Sequence, residues 1–190
     1  MKQKLRSTLR ARRRALAPAE HARCAASAAA AVTRLAAFKP GARVAIYMPF
    51  DGETHTAALE RAARRRGIKL FVPVGTDLRH RRIRFYPLST KRRRGAYGIP
   101  IPHRAGSPAP ARWLSLIVVP LVGIDGSGRR LGMGGGFYDR ALEFRRARRH
   151  WKGPKLVGFA FDCQRVESLP GDPWDVRLDC LATESGMQYF

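Results

Sequence analysis

The sequence predicts an α/β protein, a single domain whose central, mainly parallel sheet is flanked by helices and preceded by an N-terminal helical segment. Apolar runs of strand length alternate along the chain with helical patterns, as βαβ units require. A length of 190 residues suits one domain with a proper core, so we predict one domain over residues 1–190. Hydrophobic residues make up 45% of the chain, enough to bury that core.

Two helices are predicted before the first strand. Leucines recur among Arg and Lys over residues 2–16, which indicates an amphipathic helix. Pro18 and Glu20 suit the first turn of a second helix. The amide groups of the first turn donate no intrahelical hydrogen bond, so a proline is tolerated there, and the positive end of the helix dipole favours an acid. This Ala-rich helix is expected to end near Phe38.

Strands and helices then follow one another along the chain. Strands are predicted at residues 43–48, 69–74, 82–88, 114–120, 155–161 and 176–182. Helices are predicted at residues 54–66, with Gly67 as the stop signal, and from about 136 to 149. The Gly- and Pro-rich stretch 95–110 is predicted to be a long ordered loop.

The charge balance is strongly basic. Lys plus Arg number 37 and Asp plus Glu 14, which gives a net charge of +23 at pH 7. Such a charge attracts nucleic acid, anionic membranes or substrates with several phosphates or carboxylates, although a solvated Arg-rich surface is the simpler interpretation. The basic runs lack interleaved aromatic residues and no nucleic-acid-binding motif is evident, so we expect small-molecule partners and only non-specific binding to polyanions.

Cysteine usage and hydropathy point to a cytoplasmic protein. Cys24, Cys163 and Cys180 are odd in number and widely spaced, which argues against a disulfide framework or a zinc site. No apolar run is long enough to cross a bilayer, so no membrane partner is expected. The Arg- and Ala-rich N-terminus can mimic a mitochondrial transit peptide, but we interpret it as part of the mature protein because two of its residues match functional positions described below.

The strongest functional signal is the segment 128–140, Gly-Arg-Arg-Leu-Gly-Met-Gly-Gly-Gly-Phe-Tyr-Asp-Arg, in which residues 132–136 are here called the glycine loop. Glycines let several backbone N–H groups turn toward one point, and the helix predicted to follow adds its unsatisfied N–H groups. Arg129 and Arg130 can bind phosphate. The segment is neither a P-loop nor a dinucleotide fingerprint. A flexible loop before an ordinary helix is the simpler alternative.

Asp139 follows the glycine loop and allows two interpretations. A carboxylate beside a bound phosphate is repelled unless a cation lies between them, and oxygen ligands with phosphate suit Mg²⁺. A first-turn acid that complements the helix dipole is an equally good explanation. The local sequence does not choose between the two.

An ordered set of short segments spans nearly the whole chain. It consists of Lys2-x-x-Leu5-Arg6 with Arg13 beyond it, Phe50-Asp51-Gly52-Glu53-Thr54-His55-Thr56, Gly98-Ile99-Pro100, residues 119–125, the glycine loop through Asp139, residues 157–164, and Leu169-Pro170 followed by Trp174-Asp175-Val176. The set resembles the 5-formyltetrahydrofolate cyclo-ligase family. The resemblance implies a compact α/β fold and the conversion of ATP and 5-formyltetrahydrofolate to 5,10-methenyltetrahydrofolate, ADP and phosphate, with Mg²⁺ required.

The resemblance also implies a role for individual residues. Contacts with ATP would come from Lys2, Arg6, Arg130, Leu131, Gly132, Met133, Gly134, Gly135, Gly136, Phe137 and Tyr138. The folate would lie against Arg6, Phe50, Glu53, His55 and Tyr97. Asp139 and Asp175 would hold magnesium, and catalysis would rest on Arg130, Tyr138 and Asp139. Phosphoryl transfer asks mostly for positioning and charge neutralisation, so no side-chain nucleophile is needed.

Two positions depart from the family pattern. His55 stands where the family usually has Asp or Glu, and Glu53 is a candidate to take over that role. Ile101 stands where many relatives have an acid or an amide. These departures support an alternative interpretation, in which the chain is a catalytically altered relative that keeps the ATP loop but uses another substrate or none.

Overall fold

The structure is a computed structural model that describes residues 1–89, 92–94, 100–102, 106–147 and 153–190. Its helices are α1 Lys2–Arg14, α2 Pro18–Thr33, α3 Ala57–Arg65 and α4 Phe137–Ala141. Its strands are β1 Arg43–Ala45, β2 Lys69–Asp77, β3 Arg82–Pro87, β4 Arg92–Arg94, β5 Pro100–Pro102, β6 Leu116–Val119, β7 Gly123–Ile124, β8 Arg130–Leu131, β9 Lys155–Phe159, β10 Cys180–Thr183 and β11 Gly186–Tyr189.

A seven-stranded sheet in the order β11-β10-β9-β6-β1-β2-β3 forms the centre of the molecule. The strands from β10 to β2 in this order run parallel, and the antiparallel strands β11 and β3 close the two edges. Two small antiparallel pairs, β4–β5 and β7–β8, lie outside it. The predicted α/β fold with a mainly parallel sheet is therefore confirmed.

Helices and loops cover both faces of the sheet. All four residues of β6 are buried, as expected for a central parallel strand that is covered on both sides. One face packs against the Ala-rich sides of α2 and α3, and the other packs against Leu142 and Phe144. A third, smaller cluster ties α1 to the sheet through Leu9, Val122, Leu131 and Leu169.

The predicted helix over residues 136–149 is wrong. α4 has only five residues, because Leu142 leaves the helical region with φ −111° and a 3₁₀ turn, Glu143–Arg145, follows. Leu142 is fully buried in the core and Arg145 Nη2 lies 2.6 Å from Asp179 Oδ1. Tertiary packing therefore overrides the local helical pattern. The last two residues of the predicted helix, 148–149, lie outside the described residues.

Other element boundaries differ from the predictions by a few residues. α1 ends at Arg14 rather than residue 16, α2 at Thr33 rather than near residue 38, and α3 begins at Ala57 rather than residue 54. The predicted loop 95–110 contains β5, and much of it lies outside the described residues. The strand β11 and the pair β7–β8 were not predicted, because strands this short carry too little apolar pattern.

The three cysteines differ in burial. Cys24, Cys163 and Cys180 are free thiols, and burial raises the pKa of Cys180 to about 11. Within the described ranges, no helix combines the length and the apolar character needed to span a membrane.

Gly158→Ala is expected to lower the free energy of unfolding by about 1–3 kcal/mol, because it overpacks the core. A Cβ at Gly158 on β9 would lie 2.7 Å from Leu178 Cδ1 and 3.0 Å from Leu121 Cδ2, both on buried side chains. Urea unfolding measures the change. Gly126→Ala is the matched control, since no atom lies within 4 Å of a Cβ at that position. Equal unfolding midpoints for the two variants would contradict the prediction.

Candidate active site

The chain reaches the glycine loop through a turn that is fixed by one buried carboxylate. Asp125 Oδ1 accepts hydrogen bonds from the backbone N–H groups of Ser127 (2.9 Å) and Arg129 (3.1 Å), and Oδ2 accepts one from Leu169 N–H (3.1 Å). Burial opposes ionisation of Asp125, but these hydrogen bonds outweigh it and lower its pKa. Asp125 therefore acts as a charged anchor that sets the path from β7 into β8.

The glycine loop itself needs glycine at two positions. Gly134 and Gly136 have φ values of +101° and +65°, a region that residues with a Cβ rarely adopt. Arg6 of α1 lies against this loop: its Nε donates a hydrogen bond to Gly132 O (2.8 Å), and a Cβ at Gly134 would lie 3.5 Å from Arg6 Cζ. The structure thus brings Arg6 to the loop, where the sequence predicted it.

Asp51 docks α1 onto the segment 50–56. Its Oδ2 lies 2.6 Å from Arg10 Nε and 3.1 Å from Arg13 Nη2, and Oδ1 pairs with Arg14. The Arg13 side chain is fully buried, and its Nη1 donates to Leu121 O (3.2 Å). Sequence reasoning missed this anchor, although Asp51 lay inside one of the matched segments.

Lys2, the other predicted ATP contact on α1, pairs with an acid that sequence reasoning also missed. Its Nζ lies 2.6 Å from Asp172 Oδ2, with about a third of each side chain exposed (30% and 39%). Asp172 in turn donates its backbone N–H to Asp175 Oδ2 (2.8 Å). The ion pair therefore places the N-terminal end of α1 beside the segment 172–176.

The two predicted magnesium ligands converge on that same segment. Asp139 Oδ1 lies 2.6 Å from Arg130 Nη2 and accepts the Val176 N–H (3.2 Å), while Arg130 Nη1 donates to Val176 O. Both contacts of Asp139 use Oδ1. Asp175 is the residue before Val176, and its Oδ2 accepts the Asp172 N–H. Asp139 thus lies in the first turn of α4, as the dipole interpretation required, and is bound to the backbone of the residue that follows Asp175.

The donor types at this position fit magnesium. Across the part of the chain that the structure describes, no group of three or more His, Cys, Asp or Glu residues is arranged to hold a metal ion. Mg²⁺ usually binds through one or two carboxylates together with substrate phosphates and water, so a pair of aspartates suits it better than it suits zinc.

The segment 50–56 and α4 each contribute a polar group to this region, the half-buried carboxyl of Glu53 and the buried hydroxyl of Tyr138. Glu53 Oε2 accepts the Phe50 N–H (3.1 Å), and burial raises the pKa of Glu53 against the opposing effects of that bond and of Arg13. The Tyr138 hydroxyl is buried and has no hydrogen-bond partner among the described residues. Burial and then the nearby Glu53 charge raise the pKa of Tyr138. A buried orphan hydroxyl marks a place for a polar group of a ligand.

His55 lies at the exposed end of the same segment. Its ring is nearly perpendicular to that of His21, with 4.6 Å between the ring centroids. Burial and the neighbouring His21 lower the pKa of His55, so it is neutral at pH 7. It therefore does not supply the negative charge of an Asp or Glu at this position. Phe50 is 43% exposed nearby, and Tyr97 and the Ile101 side chain lie outside the described residues.

Two surface depressions lie away from the glycine loop. The larger, of about 490 Å³, is lined by residues at the amino ends of β1 and β6, including Arg43, Trp113 and Ser115. The smaller, of about 310 Å³, lies on the β2–β3 hairpin and includes Arg82, Arg84 and Tyr86. Neither depression is lined by the residues that converge on the loop. The candidate active site is therefore defined by those residues and not by a cavity.

The sequence is similar to a family of folate enzymes over almost its full length. A model described as the 5-formyltetrahydrofolate cyclo-ligase family matches residues 1–184. The 5-formyltetrahydrofolate cyclo-ligase of Escherichia coli is 35% identical over 185 residues, which cover 93% of this chain and 97% of that protein. The protein of the same name from Haemophilus influenzae is 36% identical over 140 residues, covering 71% and 72%.

Solved structures resemble the fold in the same way. The NMR structure of Aquifex aeolicus 5,10-methenyltetrahydrofolate synthetase superposes with a TM-score of 0.81 at 29% identity and covers 99% of this chain and 92% of that one. A 5,10-methenyltetrahydrofolate synthetase from Mycoplasma pneumoniae superposes with a TM-score of 0.74 at 25% identity, covering 96% and 98%.

Proposed function

This chain belongs to the 5-formyltetrahydrofolate cyclo-ligase family, and on that premise we propose that it uses ATP and Mg²⁺ to convert 5-formyltetrahydrofolate to 5,10-methenyltetrahydrofolate, releasing ADP and phosphate. The observation that supports this most is the docking of Arg6 on the carbonyl oxygen of Gly132. It puts a guanidinium group from α1 beside a loop whose glycines leave the backbone open to a ligand, which is an arrangement suited to phosphate.

The phosphates of ATP are proposed to bind at the glycine loop. The segment from Arg130 to Tyr138 supplies backbone N–H groups, and Arg6 supplies positive charge from α1. Lys2 is held by Asp172 in an ion pair that is partly exposed, and such pairs are weak enough for a phosphate to replace the carboxylate. Positioning and neutralisation of charge are the main demands of phosphoryl transfer, and these groups meet both.

Asp139 and Asp175 are the residues proposed to hold magnesium. When bound, Mg²⁺ neutralises the negative charge that develops on the phosphate oxygens. Arg130 and the Val176 N–H fix Asp139 through Oδ1, so that the other carboxylate oxygen is not used by these contacts. Arg130 therefore acts on the metal site by orienting Asp139 as well as by adding positive charge.

The chemical steps follow from the two substrates. The formyl oxygen takes the γ-phosphoryl group of ATP and ADP leaves; the anilino nitrogen of the folate then attacks the formyl carbon, the new C–N bond forms, and the C–O bond breaks with loss of phosphate. We propose that the neutral hydroxyl of Tyr138 donates a hydrogen bond at this site, because burial keeps it protonated and it lacks a partner among the described residues. The folate ring would lie against Phe50, Glu53 and His55, and Tyr97 remains part of this proposal.

We further propose that the enzyme acts in the cytoplasm on small-molecule substrates. The Arg-rich N-terminal segment forms α1, and its Leu9 and Arg13 are fully buried against the rest of the fold. This packing supports the interpretation of the segment as part of the working enzyme, with Lys2 and Arg6 in the ATP site.

Glu53→Gln is expected to remove the acid limb of the pH profile of kcat/KM for 5-formyltetrahydrofolate. Burial raises the pKa of Glu53, so its carboxylate forms at a higher pH than that of an ordinary Glu. If the ionised form accepts hydrogen bonds from the folate, activity of the wild type rises with pH through that pKa, whereas the Gln variant is slower but flat there. Glu20→Gln, on the exposed first turn of α2, is the control. An acid limb that persists in the Glu53 variant would contradict the prediction.

The proposed function is tested by a direct assay. Purified protein is mixed with 5-formyltetrahydrofolate, ATP and Mg²⁺, and the methenyl product is followed by its absorbance. We expect ATP-dependent product that EDTA abolishes. Binding of ATP without product would favour the altered-relative alternative, and a large rate gain in His55→Asp would then locate the defect at the folate site. Neither binding nor product would refute the proposal.

A further inference from the structure

Arg81, in the turn between β2 and β3, has its guanidinium close to the glycine loop. A Cβ built on Gly136 would lie 3.8 Å from Arg81 Nη1, so the guanidinium borders the space that a side chain at Gly136 would fill. The residue belongs to the basic run 79–82, for which the sequence suggested only a solvated surface or non-specific binding to polyanions. β3, which follows it, packs against α4.

The turn is built in a way that fixes Arg81. Asp77 Oδ1 accepts the His80 N–H (2.8 Å), and Asp77 Oδ2 lies 2.7 Å from His80 Nδ1. Arg81 has φ +55° and donates its backbone N–H to Leu78 O (3.3 Å). A side-chain-bearing residue in the left-handed region is uncommon, and such residues are frequent at functional sites.

The charges around Arg81 indicate what this residue binds. The guanidinium of Arg6 lies 3.5 Å from a Cβ at Gly134, and that of Arg81 lies 3.8 Å from a Cβ at Gly136, so two like charges approach the same three-residue segment. Arg130 is neutralised by Asp139, whereas Arg81 forms no ion pair with any of the described residues. Two guanidinium groups held at one loop favour an anion between them.

We propose that Arg81 binds phosphate oxygens of the nucleotide at the glycine loop, so that the hairpin β2–β3 completes a site otherwise formed by α1 and the loop. This inference rests on the proposed function and adds a residue to it. It requires the nucleotide phosphates, and not the carboxylates of the folate, to be the anion that Arg81 contacts.

The test compares Arg81→Ala with Arg79→Ala. Arg79 lies in the same turn, is exposed, and is not among the atoms near the loop glycines, so its replacement removes the same charge without the contact. Binding of Mg²⁺–ADP is measured by calorimetry, and kcat/KM is measured separately for ATP and for 5-formyltetrahydrofolate.

We expect Arg81→Ala to weaken ADP binding and to lower kcat/KM for ATP, each by about tenfold, and to change kcat/KM for the folate by less than about twofold. Arg79→Ala should stay within about twofold of the wild type on all three. Arg81→Lys, which keeps the charge but not the bidentate geometry, should fall between.

The outcomes separate this inference from the proposed function. Equal effects in the Arg79 and Arg81 variants would overturn it, because they would reflect long-range attraction and not a contact. A loss in kcat/KM confined to the folate would overturn the assignment to the nucleotide. If the wild type binds ADP and turns over, and Arg81→Ala has the same ADP affinity and kcat/KM, the inference alone is refuted. If the wild type neither binds ADP nor turns over, the proposed function itself is refuted. Thermal unfolding at the wild-type temperature would show that the variants are folded.

Discussion

Asp139→Asn is expected to leave the protein folded and to lower Mg²⁺-dependent turnover by about a hundredfold or more. The amide oxygen of Asn can still accept the Val176 N–H and a hydrogen bond from Arg130, so the local geometry persists. The negative charge that is proposed to attract Mg²⁺ is lost. The Asp139 side chain is 24% exposed but that of Arg130 only 5%, and the Asn amide keeps the hydrogen bond to Arg130, so we expect the lost charge to cost about 1–3 kcal/mol of stability.

The measurement is kcat as a function of Mg²⁺ concentration, with thermal unfolding in parallel. Glu143→Gln is the matched control, because it makes the same carboxylate-to-amide change at an exposed position just beyond α4. Asp175→Asn should resemble the Asp139 variant, since the two acids are proposed to share the ion. Turnover close to that of the wild type at every Mg²⁺ concentration would refute the metal assignment of Asp139.

Asp51→Asn is expected to lower the free energy of unfolding by about 3–5 kcal/mol, the largest stability effect that we predict. The Arg13 guanidinium is fully buried and pairs with Asp51, so the variant leaves a buried positive charge without this counter-charge. Asn tolerates left-handed backbone, so the φ of +56° at this position is retained and the change tests charge and not conformation. Because Asp51 docks α1, we also expect weaker ATP binding through displacement of Arg6.

Urea unfolding of single and double variants isolates the pair. Arg14→Ala is the control: this side chain also pairs with Asp51 but is 53% exposed, and we expect a cost of less than about 1 kcal/mol. Asp51→Asn combined with Arg13→Met removes both buried partners and should recover part of the lost stability. A double variant less stable than the sum of the two single effects would show that the buried charge is not the cause.

The mainly parallel character of the sheet was predictable from local pattern, whereas the order of its strands was not predicted. Buried parallel strands such as β6 are continuous apolar runs, and the alternation of strands with helical segments implies crossover connections. The length of α4 was not predictable, because Leu142 leaves the helix in order to fill the core, which is a tertiary effect. Short strands such as β7 carry too few residues to give a pattern.

The site was predictable only in part. The glycines and the arginines before them indicated an anion site, and the family resemblance selected Arg6 for it. The ion-pair partners of these residues were not predictable. Lys2 pairs with Asp172, which is 170 residues away along the chain, and nothing in the sequence distinguishes the functional members of the 37 basic residues from the others. The contact of Arg81 with the loop had no signal in the sequence beyond its place in a basic run.

The edge position of β3 bears on the behaviour of the protein at high concentration. An open sheet edge is a template on which a second chain can add a strand and start aggregation. Ala109 bridges β3 at Phe85, and beyond it the strand exposes Arg82 and Arg84 and ends at Pro87, which has no amide proton to offer. A second copy aligned along this edge would bring arginine against arginine. The positive charge at this edge thus opposes self-association through β3.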